Sequence, residues 1–154
     1  MASLDYDKHS HDLVKAIDVA IESLQKFPPK NFDHAHLDIF VNSYEEFRKN
    51  ASDPDPKFRN LKSLSYVRND VFTYFQEGHG NAVNYFWSQV KSLHLPFKRE
   101  NKLEKILKAG RIKKQSEYDF IIDVLVPYQQ EGLLNKEDVM KLNNMIASFE
   151  TVGR

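Results

Sequence analysis

The chain has no cysteine among its 154 residues, and only five glycines, six prolines and one tryptophan. Without thiols there are no disulfides, iron–sulfur clusters, thiolate zinc sites or cysteine nucleophiles. So little glycine and proline excludes a low-complexity or extended chain. No apolar run approaches the roughly 18–20 residues that cross a bilayer. The polar, acidic start MASLDYDKHSHD has no signal-peptide core. The expectation is a soluble, cytoplasmic protein with no membrane contact, because missing cysteine fits a reducing compartment. Strand signals are also scarce. No stretch of four or more residues alternates cleanly, and no Asn-Gly or Asp-Gly hairpin turn occurs. P-loop, dinucleotide fingerprint, HExxH, GxSxG and Glu-x-x-His patterns are all missing. No cofactor is therefore expected, and no residue presents itself for a reaction.

Helical periodicity is what the sequence does have. Val71–Phe97 carries seven of the nineteen aromatic residues, Trp87 among them. Leu61, Leu64, Val71, Phe72 and Phe75 recur at helical spacing, and so do Val83, Phe86, Trp87, Val90 and Leu93. The Gly78-His79-Gly80 link predicts that the two helices fold back on each other. Gly78 is expected to end the first and Asn81 to cap the second. This aromatic hairpin is expected to be the hub of the fold.

Upstream, residues 1–9 read as a loose arm and Ser10 as the cap of a first helix. Its stripe is Leu13, Ile17, Ala20, Ile21 and Leu24. Pro28 and Pro29 stop it. Asp33 caps a second helix with Leu37, Phe40, Val41, Tyr44 and Phe47 buried. SDPDP at 52–56 is a turn-forming break. Downstream, Leu103, Ile106 and Leu107 make a short helix that Gly110 ends. Ser116–Asp119 resembles a capping box and opens a helix, EYDFIIDVLV, apolar around most of its circumference. Pro127 should end or kink it. Gly132 closes a short continuation. Asn135 caps a last helix with Val139, Leu142, Met145, Ile146 and Phe149 inside, and the tail TVGR is expected to fray.

These readings predict an all-α fold of about seven helices in antiparallel pairs. They form a single helical domain over 1–154, with the aromatic hairpin and the 117–126 helix at its centre. A subdivision near 52–56 would separate an acidic hairpin (10–50) from an aromatic and basic core (57–150).

Charge is balanced overall but unevenly placed. Residues 1–56 carry a net −5 and residues 116–154 a net −4, whereas 98–115 hold eight basic and two acidic side chains. Within that run, Lys98, Arg99, Lys102, Lys105 and Lys108 are expected on one helix, with spacings of three keeping a positive stripe together. Arg111, Lys113 and Lys114 follow in the turn. The helix that comes next can be set beside a helix-turn-helix, but a recognition helix needs an exposed polar face, which acids and apolar groups do not supply. Any nucleic-acid contact would be to phosphates. An acidic protein surface, including another copy, is the other expected partner.

Two His-x-His pairs, His9/His11 and His34/His36, can bind metal only off a helix, since residues two apart on a helix point about 200° apart. His79 sits between turn glycines with no partner at a recognised spacing. Tyr66 and Tyr85 lie off their helices' stripes, either packed under a neighbour or lining a partner surface. The function expected is a non-enzymatic interaction or regulatory protein that binds a partner or itself through segregated acidic and basic faces. The alternatives are a nucleic-acid-associated protein using residues 98–114 and a small metal-dependent or hydrolytic enzyme using the histidines.

Overall fold

The computed structural model describes residues 2–152, with side chains from residue 5 on. Seven helices follow one another: α1 (Ala2–Lys26), α2 (His34–Ser52), α3 (Leu61–Glu77), α4 (Asn81–Ser92), α5 (Glu104–Ala109), α6 (Gln115–Gln130) and α7 (Lys136–Val152). A single 3₁₀ turn, Pro56–Phe58, lies between α2 and α3, and no strand occurs among the described residues. The chain adopts the all-α class that its periodicity predicts. It forms two compact units. The first runs to Phe75 and resumes at Gly80–Lys98; the second holds Gln76–His79 and the described chain from Arg99 onward. SDPDP falls inside the first unit, spanning the end of α2 and the start of the 3₁₀ turn.

In the first unit α1 packs against α2 and α4. Leu13, Ile17 and Leu24 are fully buried, and Ala16 and Ala20 keep the contact close. The arm expected at residues 1–9 is instead the beginning of α1 from Ala2. The reason lies in α2. The last carbonyls of a helix have no partner within it, and Ala51 offers one in the final turn of α2. The Ser10 hydroxyl donates to it at 2.6 Å and the Tyr6 hydroxyl at 3.2 Å. The Arg59 guanidinium lies 4.8 Å from the Tyr6 ring centre and pairs with Asp7. These contacts hold the residues around Tyr6 in helix, so Ser10 is an interior residue and not a cap.

Asp33 caps α2 as predicted, accepting from the His36 amide at 2.7 Å. Tyr44 is buried among Phe40, Phe47 and Phe75, and its hydroxyl donates to the Val71 carbonyl at 2.6 Å. The aromatic hairpin forms: Phe75 stacks on Phe86 with centroids 4.0 Å apart, and Trp87 Nε1 donates to the Phe75 carbonyl at 2.7 Å. Its details differ from expectation. The left-handed residue is Gly80, at φ 113°, and not Gly78. Gly80 is the N-cap of α4, so Asn81 is already helical and makes no cap bond. Leu61 and Leu93, at helix ends, stay exposed. Tyr85 packs on Phe27 and bonds to Glu22, whereas Tyr66 remains 61% exposed.

The second unit has its own core, built on Leu103, Ile106, Ile121, Val124, Tyr128 and Leu142. The EYDFIIDVLV helix therefore lies in this core, and the aromatic hairpin builds the other. Gly110 ends α5 in the left-handed conformation, φ 75°, and Gly132 does the same after α6, φ 77°. Two expectations for α6 need correction, its capping box and its burial. The Ser116–Asp119 box does not form; Lys114 is the N-cap, without a side-chain bond, and Glu117 accepts from the Lys113 amide at 2.8 Å. Of the two outcomes expected at Pro127, an end is not what occurs: the proline lies inside the helix, which continues to Gln130. A helical proline frees the carbonyl four residues back, and Asp123, the residue there, is exposed, so solvent can take its place. Nor is α6 buried on most sides. It packs against α7, so Ile121, Val124 and Tyr128 are covered while Ile122 and Val126 face outward. Asn135 and Asp138 cap α7 reciprocally, each backbone amide donating to the other's side chain, at 2.7 and 3.3 Å. Thr151 and Val152 are still helical; Gly153 and Arg154 of the expected frayed tail lie outside the described residues.

Candidate functional site

Lys98, Arg99, Lys102, Lys105 and Lys108 were expected on one helix, with Arg111, Lys113 and Lys114 in the turn after it. The structure splits the first five. α5 begins only at Glu104, because the Asn101 side chain accepts from the Leu103 amide at 2.9 Å and donates to the Leu133 carbonyl at 3.2 Å, fixing a turn there. Arg99 and Lys102 therefore precede the helix.

Arg99 also leaves the surface. Its side chain is 4% exposed. Nη1 donates to Glu131 at 2.8 Å, Nη2 to the Gly78 carbonyl at 2.6 Å, and the guanidinium lies 5.0 Å from the Tyr128 ring centre. Burial raises the Tyr128 phenol above its ordinary pKa, partly offset by the Lys102 amide and the nearby Arg99 and Lys102 charges. A charge this deep persists only when paired. Arg99 thus ties the Gly78 turn to the end of α6 and is not available to a partner. Lys102 is exposed but pairs with Glu100 at 2.9 Å.

Lys105 and Lys108 stand exposed on α5, and Arg111, Lys113 and Lys114 are exposed after it. None of these five forms an ion pair among the described residues. Ile112 is buried in the second core and anchors this turn between Arg111 and Lys113. Against the turn runs one face of α7. Together they enclose an open groove of about 530 Å³, within the roughly 300–1,000 Å³ typical of clefts that hold ligands. Met145 and Phe149 give it apolar surface, Arg111, Lys113 and Lys141 supply the charge, and Asn144 and Ser148 add polar groups. Among the described residues, no carboxylate lines it.

The chain matches no protein-family model, no curated protein and no solved structure.

Lys141 was not singled out from the sequence, because it lies in a segment whose net charge is −4. The signal was its spacing: Lys141, Met145 and Phe149 fall four apart and share a side of the helix. The histidines do not assemble. His9 and His11 are two apart within α1, His34 and His36 open α2, and all four are exposed. His36 stacks on Phe32 at 4.0 Å. Among the described residues, no three histidine, aspartate or glutamate side chains gather where one metal ion could bind. His79 is exposed in the link before α4.

Proposed function

We propose that this chain is a non-catalytic interaction protein whose second unit takes an acidic, apolar-anchored protein segment into the groove beside α7. One observation carries the reading: among the described residues, three cations and no carboxylate surround an apolar floor. Phosphate binding calls for cations but not for Met145 and Phe149. A protein segment with one or two apolar side chains between acids uses both. The floor supplies burial at roughly 25 cal/mol per Å² of apolar area. The charges add steering and register more than affinity. Arg99 and Lys102 drop out of the binding set; Arg111 and Lys113 remain, and Lys141 joins them. Lys105, Lys108 and Lys114 extend the positive surface beside the groove.

The test is a fluorescence titration of the full chain with three labelled probes: acidic peptides carrying spaced leucine or isoleucine, acidic peptides without them, and single-stranded DNA. The expected result is preference for the first, lost in Lys113→Glu/Lys141→Glu. Binding of DNA alone, with a steep salt dependence, would overturn it in favour of phosphate contacts.

A further inference from the structure

The outward face of α6 mirrors the groove. The helix carries Glu117, Asp119 and Asp123 and no basic residue. Its buried residues, Ile121, Val124 and Tyr128, lie on one side. On the opposite side Asp119, Ile122, Asp123 and Val126 fall within about 100° of arc at helical spacing. All four are exposed, Ile122 by 48% and Val126 by 56%. Asp119 accepts from the Gln115 side chain at 2.9 Å, and neither aspartate forms an ion pair among the described residues. Two β-branched apolar groups one turn apart, flanked by two carboxylates, are the chemical complement of a Met145–Phe149 floor rimmed by Arg111, Lys113 and Lys141.

We propose that the occupant of the groove is this face of α6 from a second copy of the chain. The proposal rests on the reading of the groove given above. It puts Ile122 and Val126 of one copy on Met145 and Phe149 of the next, and Asp119 and Asp123 against the cations. The pairing is heterologous, since two different patches meet. It closes into a dimer only if both pairings form at once across a two-fold axis; otherwise it continues from copy to copy. Charge pairing at an open rim is screened by salt, so the association weakens as ionic strength rises.

Sedimentation velocity of the full chain tests this at submillimolar concentration, in about 0.01 M and about 1 M salt, where the Debye length falls from about 30 to about 3 Å. Wild type is expected to sediment as more than one 18.0 kDa chain at low salt. The association should weaken at least tenfold at high salt. Asp119→Lys/Asp123→Lys should abolish it, and so should Lys113→Glu/Lys141→Glu. An equimolar mixture of the two variants should associate again, because the reversed face meets the reversed groove. An unfolded variant could not give that rescue. A wild type that stays monomeric at low salt, association that survives Asp119→Lys/Asp123→Lys, or a mixture that fails to associate would overturn the proposal. The Asp119→Lys/Asp123→Lys variant keeps its groove, so titrating it with the acidic, isoleucine-bearing peptide separates the two readings. If the peptide binds while wild type is monomeric, self-association falls and the groove reading stands. If neither occurs, both fall.

Discussion

The Ser10 hydroxyl donates to the Ala51 carbonyl at 2.6 Å across 41 residues of chain. Both residues are buried, and the bond supplies a partner for a last-turn carbonyl of α2 from the interior of α1. Ser10→Ala should cost about 1 kcal/mol and lower the melting temperature by about 3 °C. Calorimetry reads the shift. Hydrogen exchange should show faster exchange near Tyr6 in the variant, because the same carbonyl holds Tyr6.

Tyr44 should make the first unit sensitive to alkali. Burial raises its phenol well above the ordinary value of about 10. A phenol with a higher pKa folded than unfolded holds its proton more tightly in the fold. Its contribution is complete below about pH 10 and is lost as pH climbs toward the folded value. Urea midpoints should therefore fall above about pH 10. Tyr44→Phe should lose about 1 kcal/mol at neutral pH, through its bond to the Val71 carbonyl, and show a shallower alkaline decline.

Arg99 should be sensitive to loss of its acid. Glu131→Ala leaves a guanidinium with 4% exposure facing only a carbonyl and a ring, and should cost about 2–3 kcal/mol. Arg99→Lys should not rescue the site, because an ammonium lacks the planar fork that reaches Glu131 and Gly78 together. Chemical denaturation of both variants measures this.

His94 occupies a left-handed position, φ 55°, where α4 ends. The Leu95 amide donates to the Val90 carbonyl at 3.1 Å, and the His94 amide to that of Lys91 at 3.1 Å, the bonding of a Schellman cap. Glycine suits such a position better than histidine. His94→Gly should stabilise the protein by about 0.5 kcal/mol, after allowing for the greater freedom of glycine in the unfolded chain. A rise in melting temperature checks it.

Lys113→Glu/Lys141→Glu should leave stability within about 0.5 kcal/mol of wild type, since both lysines are exposed and form no ion pair among the described residues. A larger loss in thermal melts would mean that the groove residues support the fold itself.

The helices were legible in the sequence because side chains three and four apart share a face whatever the helix packs against. Leu13, Ile17, Phe75, Phe86 and Leu142 were readable as core for that reason, and all are buried. Asp33, Gly110 and Asn135 were readable as helix boundaries because capping is local chemistry. Residues 2–9 were not, since their helix depends on a carbonyl 41 residues away from Ser10. The basic run could be counted but not placed. Nothing near Arg99 in sequence announces Glu131, 32 residues on, or predicts that the pair is buried. Lys141 is separated from Arg111 and Lys113 by α6, and joins them only because α7 lies beside their turn.

The sequence by itself determined the helical class, the buried centres of the two apolar hairpin stripes and several helix ends, all of which follow from contacts within a few residues. Only the tertiary structure decided which charges are used internally, which stay free, and which faces of α6 and α7 remain uncovered. Burial and pairing depend on what another part of the chain brings alongside, and periodicity carries no record of that.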